Sequence, residues 1–124
     1  VDGRDRALFI RHEGAPNTWG LPGGGHEPGE THVETALREV REEVGIEAEA
    51  VDVFQAIRKT IVHAAQPDRT LTMLTVHVDA RPVGDTDVVV GDDEVLEARW
   101  FAPEDAPEPV YEPFADRVDR WADE

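Results

Sequence analysis

The sequence predicts a single domain of the α/β class. A helical segment with an apolar stripe, between residues 31 and 45, is flanked on both sides by segments whose apolar residues recur at strand spacing. The chain has 124 residues, 40% of them hydrophobic, which suffices for one core but not for two. The sequence contains no internal repeat and no linker-like stretch, so we expect one domain over residues 1–124.

The first elements are a turn, a strand and a loop. Residues 7–12 (ALFIRH) predict a short strand with Leu8 and Ile10 on one face. The preceding residues 2–5 (DGRD) are typical of a hairpin turn, so we expect the chain to begin within a hairpin, without its first strand. Residues 13–20 (EGAPNTWG) predict a loop.

The part of the chain after the central helix predicts three strands and a second helix. Residues 47–64 and 70–80 are strand-like and are separated by a short polar turn. Residues 97–101 (EARWF) predict a further strand. Residues 107–124 predict a C-terminal helix, whose apolar positions follow helical spacing: Val110, Phe114, Val118 and Trp121.

The charge balance is strongly acidic. There are 12 Lys and Arg against 28 Asp and Glu, a formal net charge of −16, and Lys59 is the single lysine. Such a surface repels nucleic-acid backbones, which argues against a duplex-binding role. Excess acid with almost no lysine resembles the composition of proteins from halophilic organisms, whose surfaces stay solvated when salt screens repulsion. Any acidic cluster must therefore be judged on its spacing rather than on its number.

Composition also limits the compartment and the chemistry. The chain has no cysteine, so neither a disulfide framework nor a thiolate metal site can form from it. No apolar run approaches the roughly 20 residues of a membrane span, and no signal peptide is recognisable. We therefore expect a cytoplasmic protein without a membrane partner.

The central helix combines good caps with an unfavourable cluster of charge. Thr31 as N-cap with Glu34 three residues later predicts a capping box, and Gly45 is placed as a C-cap glycine. At about 100° per residue, three glutamates span an arc of roughly 100° beside the apolar stripe: Glu39, Glu42 and Glu43. Like charges at this spacing destabilise a helix, and they lie near its negative C-terminal end. Such a conflict is typical of a functional site.

A divalent cation would remove this conflict. Mg²⁺ prefers a few protein carboxylates together with water and phosphate oxygens. The glycine-rich loop that precedes the helix would let backbone groups approach a phosphate or a metal closely: Gly23, Gly24 and Gly25. The alternative interpretation is an acidic solvated helix face.

Taken together, residues 24–46 resemble the Nudix box, G-x5-E-x7-R-E-U-x-E-E-x-G-U, in which U is apolar. Every specified position matches: Gly24, Glu30, Arg38, Glu39, Val40, Glu42, Glu43, Gly45 and Ile46. The preceding Trp19 to Gly24 and the later residues 97–101 are also similar to segments of family members.

The resemblance implies a Nudix α/β/α sandwich, with a mixed sheet between the box helix and a C-terminal helix. It also implies an enzyme that uses Mg²⁺ or Mn²⁺ to hydrolyse the pyrophosphate of a nucleoside diphosphate linked to another moiety. Glu39, Glu42 and Glu43 would be metal ligands, with the Gly24 carbonyl as a further one. Arg38 would orient Glu30 and Glu39 through charge-assisted hydrogen bonds.

The general base has two candidates within this resemblance. One is Glu39 of the box. The other is a carboxylate of residues 91–97 (GDDEVLE), among which Glu94 is our choice because it lies six residues before Trp100, near where related sequences often carry it. Three further carboxylates of that segment remain alternatives: Asp92, Asp93 and Glu97.

The substrate expected is a small nucleotide, either a (d)NTP or a nucleotide sugar. ADP-ribose is the second candidate, although Ile61 and Val62 stand where ADP-ribose hydrolases often carry a proline. Two other classes compete: a non-catalytic Nudix module that senses a nucleotide, and a salt-adapted acidic domain without a site. Since many relatives are dimers, a homodimer is a further expectation.

Overall fold

The computed structural model describes residues 1–24, 27–62 and 64–123, and within them the backbone alone of Ala15, Lys59, Ile61 and Met73. The elements follow in the order β1 (Ala7–His12), β2 (Ala15–Gly20), α1 (His32–Val44), β3 (Ala48–Val62), β4 (Thr70–Pro82), β5 (Val95–Phe101) and α2 (Ala115–Ala122). Two short 3-10 helices, Pro103–Asp105 and Glu112–Phe114, lie between β5 and α2. None of the helices within the described ranges has the length and apolar composition that a membrane span requires.

The strands form two antiparallel groups. One is a three-stranded sheet in the order β2-β1-β5, in which Ile10 pairs with Gly20 on one side and with Ala98 on the other. The other is the long hairpin of β3 and β4. A parallel bridge between Trp19 and Val110 extends the first sheet at β2.

Strand β1 is buried on both faces because its side chains alternate between two clusters. Phe9 packs with Trp19, Val118 and Trp121, on the side of α2. Ile10, the next residue, lies on the side of α1 and packs with Val44, Ile46 and Val95. The three-stranded sheet therefore lies between the two helices, and the predicted α/β/α sandwich is confirmed.

Helix α1 begins and ends where the sequence predicts. The Glu34 amide donates to Thr31 Oγ1 at 3.1 Å and the Thr31 amide donates to Glu34 Oε1 at 2.9 Å, which completes the capping box. Gly45 adopts φ 73°, the left-handed conformation that favours glycine, and its amide donates to the Arg41 carbonyl.

A loop between β4 and β5 provides a second cap for α1. The amide of Val89 donates to the Val44 carbonyl at 2.9 Å, and that of Gly91 donates to the Glu43 carbonyl at 3.1 Å. A Cβ at Gly91 would lie 2.7 Å from the Glu42 carbonyl oxygen, so only glycine fits there without a shift of the backbone. These contacts satisfy carbonyls that a helix end leaves unpaired, and they fix the segment after Gly91 beside the carboxyl end of α1.

Two predicted elements were wrong. Residues 15–20 form strand β2 rather than a loop, because pairing with β1 and burial of Trp19 outweigh the local turn signals. The C-terminal helix does not span residues 107–124 but begins at Ala115. Pro109 and Pro113 lack amides and restrict the preceding residues, which disfavours a helix. Residues 109–111 run along β2 instead: the Trp19 amide donates to the Pro109 carbonyl, and the Tyr111 amide donates to the Trp19 carbonyl, each at 2.8 Å.

Candidate active site

Arg38 of α1 holds Glu30 through two hydrogen bonds. Its Nε donates to Glu30 Oε2 at 2.7 Å and its Nη2 donates to Glu30 Oε1 at 3.2 Å. The hydroxyl of Thr35 and the amide of Glu27 also donate to Glu30 Oε1. The Arg38 guanidinium, together with these donors, holds the pKa of Glu30 at about 2 against an ordinary 4.5. Glu30 is therefore a fixed anchor for the arginine.

The same arginine reaches two further carboxylates. Its Nη1 donates to Glu39 Oε1 at 2.7 Å and to Glu42 Oε2 at 3.0 Å. The Arg38 and Glu39 side chains are each 13% exposed, whereas that of Glu42 is 53% exposed. Arg38 thus bridges the anchor Glu30 to two of the three glutamates that the sequence singled out, and it offsets part of their mutual repulsion.

Glu43, the third glutamate, is buried. It is 3% exposed, and its Oε1 accepts a hydrogen bond from the Gly23 amide at 3.2 Å. Its Oε2 is buried without a hydrogen-bond partner among the described residues. Burial, joined by the neighbouring carboxylates of Glu39 and Asp92, raises the pKa of Glu43 to about 8. A buried carboxylate in this state needs either a proton or a cation.

The glycine-rich loop lies directly over these carboxylates. A Cβ at Gly24 would overlap the carboxyl group of Glu39, with Oε1 at 2.7 Å, whereas a Cβ at Gly23 would meet nothing within 4 Å. Gly24 therefore permits a contact that any side chain would prevent. Gly25, the third predicted loop residue, lies outside the described residues.

The carboxylates of Glu39, Glu42 and Glu43 are the type of ligand that suits a hard divalent cation, although their oxygens are not grouped around one point in this structure. Among the described residues, no three acidic or histidine side chains are grouped so as to hold a metal ion. Arg38 contacts Glu39 and Glu42, and the Gly23 amide contacts Glu43. Carboxylate oxygens on adjacent helical turns, one of them buried and unpaired, are the ligand type that Mg²⁺ and Mn²⁺ take.

Glu94 is held at the start of β5 by three contacts. Its amide donates to Asp92 Oδ1 at 2.9 Å, and its carbonyl accepts from the Glu13 amide at 2.8 Å. Its Oε2 lies 3.1 Å from Nε2 of His12, the last residue of β1. Glu94 is thereby positioned by both its backbone and its side chain.

The structure places Glu94 near Glu42 of the box helix, at a shallow, open cleft. Five residues line this cleft: Glu42, Gly91, Asp92, Asp93 and Glu94. Glu97, another candidate base, is instead paired with Arg11, whose Nε and Nη2 lie 2.9 and 2.8 Å from Glu97 Oε1. Asp92 Oδ1 accepts from the Glu94 amide, which gives Asp92 a structural role.

Two residues at the site were not predicted. Gly91 fixes the loop against α1, and its signal in the sequence was only a glycine within an acidic turn. His12 contacts Glu94, from 82 positions away in the chain. Only the pairing of β1 with β5 places His12 beside Glu94, so a single sequence carries no signal for this contact.

Comparison with known proteins assigns the class. The family model described as NUDIX domain matches residues 1–122, and the chain belongs to the Nudix family. A relative named "Putative 8-oxo-dGTP diphosphatase 3" from Mycobacterium tuberculosis is 40% identical over 114 residues, 89% of this chain and 48% of that protein. "Nudix hydrolase 3" from Caenorhabditis elegans is 36% identical over 102 residues, 77% of this chain and 40% of that protein. The chain thus spans about half the length of the curated relatives it matches.

Solved structures agree on the fold. A NUDIX hydrolase from Nitrosomonas europaea superposes with a TM-score of 0.71 at 24% identity, over 96% of this chain and 64% of that one. At this identity the likeness shows the Nudix fold and no more.

Proposed function

We propose that the chain hydrolyses a pyrophosphate bond in a nucleoside diphosphate linked to another moiety, with Mg²⁺ or Mn²⁺ as cofactor. The observation that carries this proposal is Glu43, whose buried Oε2 has no hydrogen-bond partner among the described residues and lies below the glycine loop. Glu39 and Glu42, on the same helix, supply further carboxylate oxygens. Membership of the Nudix family supports the same reaction class.

Some residues of the site would hold the substrate and the metal ligands in place, and another would accept a proton. A bound divalent cation supplies charge neutralisation at the phosphates and lowers the pKa of a bound water. Gly23 and Gly24 let the pyrophosphate approach the backbone. Arg38 keeps Glu39 and Glu42 oriented, because its own position is fixed by Glu30. Gly45 caps the helix one residue beyond Val44, which follows the last of the carboxylates, Glu43.

Glu94 is our assignment for the general base. As water attacks phosphorus, one of its protons passes to the Glu94 carboxylate and the bridging P–O bond breaks, so that the leaving group, pyrophosphate in the case of a (d)NTP, departs with the electron pair of that bond. Glu94 is favoured over Glu39 because Glu39 is paired with the Arg38 cation and is 13% exposed, whereas the Glu94 side chain is 60% exposed and open to water. It is favoured over Glu97 because Glu97 is paired with Arg11.

The substrate class we propose is a (d)NTP. The relative from Mycobacterium tuberculosis bears a name that refers to a deoxynucleoside triphosphate, and it matches 89% of this chain. The net charge of −16 opposes the approach of an anionic substrate at low ionic strength, so turnover should be compared at low and high salt. A panel of (d)NTPs, nucleotide sugars and ADP-ribose with each metal, resolved by chromatography, identifies the substrate.

A single substitution tests the catalytic proposal. Glu42→Gln removes a charge at an exposed ligand position and should reduce turnover by about 100-fold or more. Glu104→Gln, the same change at an exposed position in Pro103–Asp105, is the matched control and should retain wild-type turnover. A folded Glu42→Gln protein with the wild-type rate on every substrate would refute the proposal. Calorimetric nucleotide binding without product over hours would favour a sensing module instead.

A further inference from the structure

We infer that His12 is a positioning residue that aims the Glu94 carboxylate into the cleft. This inference rests on the proposed role of Glu94. It concerns a histidine on β1, outside the Nudix box, whose ring lies between a turn amide and the carboxylate assigned as the base.

The contacts of His12 determine which ring nitrogen carries the proton. The Gly14 amide donates to His12 Nδ1 at 3.2 Å, and a backbone amide can only donate. Nδ1 must therefore be the acceptor, which leaves the proton of the neutral ring on Nε2. Nε2 lies 3.1 Å from Glu94 Oε2. The turn after β1 thus makes His12 a hydrogen-bond donor to Glu94.

The Glu94 side chain depends on this donor. Its backbone is held by Glu13 and by Asp92 Oδ1, but these contacts leave the side-chain torsions unconstrained. Among the described residues, His12 is the hydrogen-bond donor to the Glu94 carboxylate, and it contacts Oε2. Oε1 is left to accept a proton from water. With 60% of the side chain exposed, loss of His12 would let the carboxylate sample other rotamers.

A simple surface ion pair is the alternative explanation, since the His12 side chain is 45% exposed. Two observations favour a positioning role. The Gly14 contact fixes the direction of the hydrogen bond, which a surface pair does not require. The carboxylate also lines a cleft together with Glu42 of the box helix, rather than an isolated part of the surface.

Two amide substitutions separate the contacts of His12. In His12→Gln, the side-chain amide reaches the position of Nε2 and can still donate to Glu94. In His12→Asn, the shorter side chain can accept from Gly14 but cannot reach Glu94. We expect His12→Gln to keep kcat within about twofold of wild type, and His12→Asn to lower kcat by about tenfold, with KM changed less than twofold. In a Glu94→Gln background, His12→Asn should cause no further loss.

Three kinetic results would overturn the inference. They are wild-type kcat in His12→Asn, an equal loss in the Gln and Asn variants, and a full tenfold loss from His12→Asn in the Glu94→Gln background. The last result would mean that His12 acts independently of Glu94.

A spectroscopic measurement keeps this test separate from the proposed function. In ¹⁵N-resolved NMR spectra of the histidine rings at pH 7.5 or above, His12 should show a protonated Nε2 and an unprotonated Nδ1, and Glu94→Gln should shift the Nε2 signal. An Nδ1-protonated ring would refute the inference even if the enzyme is active. The expected spectrum from a protein that hydrolyses no substrate would refute the proposed function while the contact itself stands.

Discussion

Substitution of Gly24 by alanine probes the contact between the glycine loop and the box helix. The added Cβ would overlap the Glu39 carboxyl group, with Oε1 only 2.7 Å away. Glu39 cannot simply turn aside, because its Oε1 accepts from Arg38 at 2.7 Å and its side chain is only 13% exposed. We therefore expect the carboxylate of a proposed metal ligand to be displaced.

The size of the effect follows from the overlap. A carbon–oxygen contact settles near 3.3 Å or beyond, so Oε1 must move by at least about 0.6 Å, and the other carboxyl atoms by more. A misplacement of about 1 Å in a catalytic group costs roughly 100-fold in rate, which corresponds to about 2.7 kcal/mol of activation free energy. We expect Gly24→Ala to lower kcat/KM by roughly 30- to 100-fold.

The assay is pyrophosphohydrolase turnover as a function of Mg²⁺ concentration, with thermal unfolding followed by circular dichroism. Gly3→Ala is the matched control, because a Cβ at Gly3 would meet nothing within 4 Å. Wild-type kcat/KM and unchanged metal dependence in a folded Gly24→Ala protein would mean that the Gly24–Glu39 contact does not position the carboxylate. An equal loss in Gly3→Ala would assign the effect to general destabilisation.

Three further predictions concern residues that hold the site in place: Arg38, Gly91 and Glu30. Arg38→Lys replaces the planar guanidinium, which contacts Glu30, Glu39 and Glu42, by a single ammonium group. We therefore expect turnover to fall by about tenfold or more, measured at saturating Mg²⁺. Gly91→Ala places a Cβ 2.7 Å from the Glu42 carbonyl oxygen, so the free energy of unfolding should fall by about 1–3 kcal/mol, measured by urea denaturation. The pKa of Glu30 is held at about 2, below its ordinary 4.5, so its stabilising contribution is complete above pH 4.5 and is lost as the pH falls toward 2. Glu30→Gln removes this contribution, so its Tm should fall less than that of wild type between pH 6 and pH 3.

Each of these predictions has a contradicting outcome. Wild-type turnover in Arg38→Lys would mean that the guanidinium fork does not orient the carboxylates. Equal unfolding free energies for Gly91→Ala and Gly3→Ala would mean that the loop yields without strain. An identical loss of Tm in wild type and Glu30→Gln would show that the Glu30 carboxylate does not titrate in this window.

The sequence predicted the parts of the fold that local signals determine. Helix α1 carries its own capping box and C-cap glycine, so its bounds follow from residues within one turn of each end. Strand β2 has no such signal, because Pro16 and the surrounding residues are typical of a loop. Its strand conformation depends on pairing with β1 and on burial of Trp19 in a core built by distant residues. Non-local pairing with β2 likewise replaced the predicted helix at residues 109–111.

The candidate site was predictable to a similar extent. The spacing of the glutamates and the resemblance to the Nudix box singled out Glu39, Glu42 and Glu43. The burial of Glu43 was not predicted, although its place on the helix beside the apolar stripe was a usable signal. Glu94 was chosen by resemblance, and the contact that holds its side chain depends on the register between β1 and β5. The sequence alone does not determine that register.

The proposed metal-dependent hydrolysis is tested by product analysis of a (d)NTP incubated with the purified chain, in the presence and absence of Mg²⁺ or Mn²⁺. We expect a nucleoside monophosphate and pyrophosphate, formed only with the divalent cation and about 100-fold more slowly by Glu42→Gln. Turnover of this kind without a divalent cation, or no product from any (d)NTP, nucleotide sugar or ADP-ribose with either metal, would contradict it.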